Sequence, residues 1–269
     1  MAGESWLELA YVILFGLVMG SFATALSWRI PRGQAWFIAG KSMVRSACSH
    51  CGVRLGARDM IPLLSWLLTR GKCRHCGVSY GGRYPAIELA TLLCCIGIYF
   101  VWGFTFPAFI MMASMPFLVA LFAIDVEYFI LPDQLIIILA GFALFLIAYQ
   151  LVVYGSGFGF EAQAVMKLSG AVVFAGLAAA IRAGMNKLLS KDSLGMGDIK
   201  FFALAGLWLG LAYLPFFLLV AGMIGVIWGA FYNLALKKTV FPFGPALILT
   251  LYAGLILQGL DIVPLAGIE

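Results

Sequence analysis

The chain has 269 residues, 64% of them hydrophobic and 11% charged, with a mean hydropathy of +1.05. A water-soluble domain is about 25% charged, so this composition excludes an ordinary soluble globular protein and indicates a polytopic membrane protein. The net charge of +5 could suggest an acidic partner, but its distribution says more: ten of the seventeen Lys and Arg residues fall between Arg29 and Arg83.

In chain order, the first apolar segment covers 9–28. Ala23-Thr24-Ala25 resembles a small-residue cleavage site, but Glu4 and Glu8 precede the segment and Arg29 and Arg32 follow it. That is the reverse of a signal peptide's basic leader region, so a retained first helix is expected. A polar segment follows to residue 85 and holds four of the six cysteines and both histidines. Seven more apolar segments are then predicted at 86–102, 107–124, 134–154, 165–183, 199–212, 214–234 and 245–260. The run 199–234 has 36 residues, too many for one crossing at about 20 residues per span. Pro215 supplies a break, giving eight spans, or seven without that division.

Placing the polar segment in the cytoplasm puts 125–133, 184–198 and 235–244 on the same side. Arg182, Lys187, Lys191, Lys200, Lys237 and Lys238 lie at or near their edges, so sixteen of seventeen basic residues become cytoplasmic and only Lys167 does not. Both termini are then external. Asp125, at the end of the third span, and Asp198, at the start of the sixth, share one membrane depth.

Cys48-x2-Cys51 and Cys73-x2-Cys76 are separated by 21 residues, and Gly52 and Gly77 follow the pairs. Four thiolates at this spacing suit a tetrahedral zinc ion, with a spacer slightly above the usual range. Two disulfides or a redox role are the other readings. A cytoplasmic location disfavours disulfides, so closed structural zinc coordination is preferred. His50 and His75, inside the CxxC loops, are expected to be solvated. Cys94 and Cys95 read as packing residues.

Among the carboxylates, Asp133 after Pro132 is expected to be an N-cap of the fourth span, and Asp59 and Asp192 to be solvated. Glu88 either pairs with Arg83 or lines a site. Asp125 and Asp198 are different. An intramembrane acid costs up to about 2.5–3.5 kcal/mol on the insertion scale, the figure for the helix centre, and two neighbouring carboxylates do not readily both ionise. One then holds a proton while the other activates water against a carbonyl. Gly195 and Gly197 free the backbone before Asp198, so a substrate strand can approach. Proton-coupled transport and a structural ion pair stay open on spacing alone.

The ordered set "GLVMGSFATALSWRIP", "RSACSHCGVRL", "IPLLSWLLTRGKCRHCG", "GRYPAIELAT", "AIDVEYFILPDQL", "GMGDIKFFALAGLWLG" and "FPFGPALILT" resembles the type IV prepilin leader peptidases, bifunctional membrane aspartyl proteases of the GxGD class. The resemblance implies that Asp125 and Asp198 form the catalytic pair. It implies removal of the short basic leader of prepilins and pseudopilins at the cytoplasmic face of the bacterial inner membrane. It further implies methylation of the new N-terminus with S-adenosylmethionine, since members lacking the cysteine block tend to be peptidases only. Thr24, Ser49 and the pair Asp59-Met60 depart from residues frequent in the family. No G-x-G-x-x-G nucleotide loop marks a methyl-donor pocket.

The expected architecture is an all-α polytopic membrane protein of about eight transmembrane helices, with a zinc-ribbon-like insertion between the first and second. The divisions are 1–29 (first helix), 30–85 (cytoplasmic zinc-binding domain with Cys48, Cys51, Cys73 and Cys76) and 86–269 (transmembrane peptidase core). Gly195 and Gly197 support the aspartates, and Lys200 is expected to snorkel towards headgroups. The expected partners are the bilayer and the prepilin, not nucleic acid, and the oligomeric state is open. Two other functions use the same features: a proton-coupled transporter, for which no internal repeat is seen, and a non-catalytic assembly factor of a secretion complex.

Overall fold

The computed structural model describes residues 2–36, 46–48, 50–154, 159–189, 194–238 and 240–260. Ser49, Lys191 and Asp192 lie outside them. The chain forms α1 (Ala2–Arg29), α2 (Leu64–Thr69), α3 (Arg83–Trp102), α4 (Phe106–Tyr128), α5 (Asp133–Tyr154), α6 (Phe160–Leu189), α7 (Met196–Leu209), α8 (Leu214–Leu236) and α9 (Gly244–Gly259). Extended pairing among the described residues is limited to two isolated bridges, Ala47 with Arg54 and Lys72 with Ser79. All helices except α2 correspond one to one with the expected spans. Six of these eight are long and apolar enough to cross a bilayer, whereas α7 and α9 have 14 and 16 residues.

The chain divides into two compact units, Met1–Ala123 and Ile124–Glu269. In the first, α1 packs along α3. A methyl group on Gly20 would lie 2.8 Å from Glu88 Cα, so the absent side chain lets the two backbones approach closely. Phe15 meets Phe109 of α4 at a tilt, and Phe22 meets Phe117 of α4 edge to face. Cys95 is fully buried and its thiol points at the Met112 carbonyl, as expected of a packing residue.

In the second unit, α6 crosses α7 where Gly170 and Gly206 face each other. A methyl group on Gly170 would lie 2.7 Å from the Gly206 carbonyl oxygen, and one on Gly206 would overlap the Gly170 carbonyl. The short helices are the buried ones. Phe201, Phe202 and the run Leu204–Leu209 of α7 are buried, as are Gly244–Ile248 and Thr250, Leu251, Gly254 and Leu255 of α9. The Trp208 indole donates to the Leu139 carbonyl at 3.1 Å, satisfying a buried polar group. Fourteen residues at 1.5 Å each span about 21 Å, against about 30 Å of hydrocarbon. Such a helix is sheltered from lipid by longer neighbours.

The break after α7 falls earlier than Pro215 suggested. Gly210, at φ 83°, stops α7, a 3-10 turn over Leu211–Tyr213 follows, and Pro215 sits in the first turn of α8. A positive φ suits glycine, while proline's fixed φ suits a helix start.

Candidate active site and metal centre

Asp125 lies in the last turn of α4 and is 5% exposed. That helix stops because Phe129 adopts φ 58°, its N–H donating to the Asp125 carbonyl at 2.9 Å. Residues 129–132 then reverse the chain into α5. Asp198 is the third residue of α7, and its Oδ2 accepts the Gly195 N–H at 3.0 Å. One carboxylate oxygen therefore satisfies an otherwise orphaned helix-terminal donor.

Leu131 packs against Gly197, next to Asp198 in sequence, and against Gly244, which faces Asp125. A methyl group on Gly197 would lie 3.1 Å from Leu131 Cβ, and one on Gly244 would lie 3.1 Å from Leu131 Cδ2 and 2.8 Å from Asp125 Cγ. The start of α9 thus presses its backbone on the Asp125 carboxylate. Asp125 Oδ2 is buried and has no hydrogen-bond partner among the described residues. The Asp198 carboxylate and Tyr232 of α8 both lie within electrostatic range of Asp125. An open cavity of about 450 Å³ is lined by Phe129, Lys237, Lys238 and Val240, at the end of α4 and the end of α8.

Both aspartates expected from the sequence therefore sit in one unit, and Leu131 packs on a glycine near each. Gly195 supplies the N–H that holds Asp198, and Gly197 admits Leu131. Lys200 does not extend alone towards headgroups. Its Nζ donates to both oxygens of Asp133, at 2.6 and 2.8 Å. Asp133 opens α5 with its carboxylate engaged by that lysine. The pair is half exposed, so it contributes about 0–1 kcal/mol. Sequence reasoning did not single out Leu131, Gly244 or Tyr232. The quoted "AIDVEYFILPDQL" and "FPFGPALILT" stretches contained Leu131 and Gly244 without marking them.

The cysteines of the first unit form two equivalent knuckles. In each, the glycine after the second cysteine donates to the carbonyl of the first at 2.9 Å (Gly52 to Cys48, Gly77 to Cys73). The first cysteine's N–H in turn donates at 2.9 Å to Val53 or Val78. Both glycines have φ 69°, which an L side chain resists. The four sulfurs lie within 4.8 Å of one another, and Cys48 Sγ is 3.9 Å from Cys76 Sγ. Tetrahedral zinc with bonds of about 2.3 Å separates its sulfurs by about 3.8 Å. All six cysteines are free, and 3.9 Å is far beyond a disulfide bond of about 2.05 Å. The Cys51 and His50 backbone N–H groups push the Cys48 thiol down to about 6, while burial and the neighbouring thiols push the Cys76 thiol up to about 11. His50 and His75 are exposed, as expected.

Residues 14–102 match the Bacterial Peptidase A24 N-terminal domain, and residues 112–230 match the type IV leader peptidase family. The prepilin leader peptidase/N-methyltransferase of Dickeya chrysanthemi is 32% identical over 273 residues, covering 92% of this chain and 92% of its own. The chain belongs to the type IV leader peptidase family. The type 4 prepilin-like proteins leader peptide-processing enzyme of Escherichia coli O78:H11 is 32% identical over 265 residues, covering 91% of this chain and 92% of its own. The Aeromonas hydrophila prepilin leader peptidase/N-methyltransferase is 31% identical over 274 residues, covering 91% and 89%. No solved structure matches significantly. The four cysteines fall within the N-terminal family match. Asp125 and Asp198 fall within the peptidase match, and Gly244 lies beyond it.

Proposed function

We propose that this chain is a membrane aspartyl endopeptidase that removes the leader from type IV prepilins and pseudopilins and N-methylates the new N-terminus. Membership of the family over nearly the whole chain carries the reading. Asp125 and Asp198 are the catalytic pair. What supports this is their position at the end of α4 and the start of α7 within one compact unit, with Asp125 Oδ2 buried and unpartnered among the described residues.

The pair shares one proton. The ionised carboxylate takes a proton from water as the water oxygen bonds to the scissile carbonyl carbon. The protonated carboxyl gives its proton to the departing amine as the C–N bond breaks. One water is consumed, leaving a leader with a new carboxyl end and a mature chain with a free amine. Gly195 positions the Asp198 carboxylate through its N–H, and Gly197 leaves the room that Leu131 fills. S-adenosylmethionine, when bound, supplies the methyl group that the freed amine takes.

Zinc is the metal for Cys48, Cys51, Cys73 and Cys76. A site closed by four thiolates leaves no position for substrate, so its role is to hold the knuckles together. The enzyme resides in the bacterial inner membrane with the cysteine block and both aspartates on the cytoplasmic side, a reading supported by sixteen of seventeen basic residues falling there.

The test is purified protein in lipid nanodiscs with a prepilin carrying a short basic leader, with and without S-adenosylmethionine, read by mass spectrometry. Leader loss under both conditions, with methylation only when the methyl donor is present, is the expected result. An intact prepilin in both would overturn the assignment.

A further inference from the structure

The segment between α1 and α3 carries apolar surface that the cysteine knuckles do not use. Met60 and Ile61 are 48% and 45% exposed, and Leu64, Leu67 and Leu68 of α2 are 47%, 63% and 68% exposed. Leu64, Leu67 and Leu68 stand at i, i+3 and i+4, so they form one stripe along the helix. The other face is occupied. The Trp66 indole donates to the Gly81 carbonyl at 2.7 Å, and the Thr69 hydroxyl lies 3.0 Å from the Tyr80 hydroxyl. The helix therefore turns its apolar stripe away from the knuckles, the reverse of a soluble domain's packing.

The depth of this stripe is set by one hydrogen bond. The Leu63 N–H donates to Glu88 Oε2 at 2.7 Å. Glu88 is five residues inside the spanning helix α3, which begins at Arg83. Five residues are about 8 Å of helix, so Leu63 is held level with the second turn of a membrane helix. The bond also secures a backbone that resists being held, because Leu63 has φ 59°, outside the region a branched side chain prefers. Glu88 thus receives the start of α2. Exposed cations flank the stripe, namely Arg58, Arg70 and Lys72.

We propose that α2 is an interfacial anchor. Its leucine stripe is immersed at the headgroup–acyl boundary, the flanking cations engage anionic phospholipid headgroups, and Glu88 fixes the depth. Apolar side chains on one face with basic residues around them bind anionic bilayer surfaces. The anchor restrains the cysteine knuckles against the membrane, to which their two ends are already joined through α1 and α3.

The test uses the full chain in nanodiscs containing a phospholipid with a photoreactive acyl chain, either phosphatidylglycerol or phosphatidylcholine. After irradiation, adducts are mapped by peptide mass spectrometry. Adducts on residues 60–68 alongside those on α3 are expected, at several-fold higher yield with phosphatidylglycerol. In Leu67→Glu/Leu68→Glu the adducts on 60–68 are expected to fall several-fold while those on α3 persist. Adducts confined to the spanning helices of the wild type, or crosslinks from 60–68 to protein in place of lipid, would overturn the anchor. Equal yields with the two lipids would overturn the preference for anionic headgroups.

Discussion

Gly244→Ala puts a methyl group where the structure has room for none. The new carbon would lie 2.8 Å from Asp125 Cγ and 3.1 Å from Leu131 Cδ2, with the Asp125 Oδ2 closer still. Carbon atoms settle at about 3.5–4.0 Å, so the Asp125 carboxyl or the start of α9 must retreat by about 0.7 Å. Leu131 blocks one direction of escape, and burial of the α9 N-terminus restricts the other. Overpacking of this kind costs about 1–3 kcal/mol of stability, which leaves a folded protein. A catalytic group misplaced by about 1 Å loses about 100-fold in rate, or about 2.7 kcal/mol of transition-state stabilisation. Cleavage of a prepilin by the purified variant measures the loss, and a thermal melt in the same detergent checks the fold. Gly222→Ala is the control, because nothing lies within 4 Å of its added carbon. It should cleave at the wild-type rate and be equally or slightly more stable, since Ala favours a helix interior over Gly by about 0.5–1 kcal/mol. Wild-type activity in Gly244→Ala would refute the claim that α9 sets the position of Asp125.

Other expectations follow from separate parts of the structure. Gly206→Ala forces its methyl into the backbone of α6 at Gly170, where no flexible side chain can yield, so its thermal midpoint should fall well below that of Gly141→Ala. Lys200→Met breaks the half-exposed pair with Asp133, worth about 0–1 kcal/mol; cleavage should change by no more than a few-fold, and a loss above tenfold would give Lys200 a catalytic role. Metal analysis of the purified chain should find one zinc per molecule, and Cys48→Ser should lower that content and speed proteolysis within residues 46–80. Leader cleavage persisting in that variant while methylation fails would tie the metal site to the second activity.

The eight apolar helices, six of them long enough to cross a bilayer, were legible because lipid imposes long apolar runs. Their ends were less so. α6 runs from Phe160 to Leu189, beyond the apolar stretch 165–183, because a helix continues into the polar region wherever propensity allows. The α2 helix was not foreseen, since six residues carry too short a pattern to separate from a loop. Asp198 and the four cysteines were readable from local motifs, because a GxGD run and a CxxC pair state their geometry within four residues. Leu131, Gly244 and the Lys200–Asp133 pair were not. Their contacts join residues distant in sequence, and a leucine between two glycines leaves no trace in composition.

The most direct test compares Asp125→Asn and Asp198→Asn with wild type on one prepilin substrate. Asn keeps the size of Asp and removes its ability to exchange a proton, so each variant should remain folded in the membrane and lose leader cleavage. Cleavage surviving both substitutions would contradict the aspartyl mechanism.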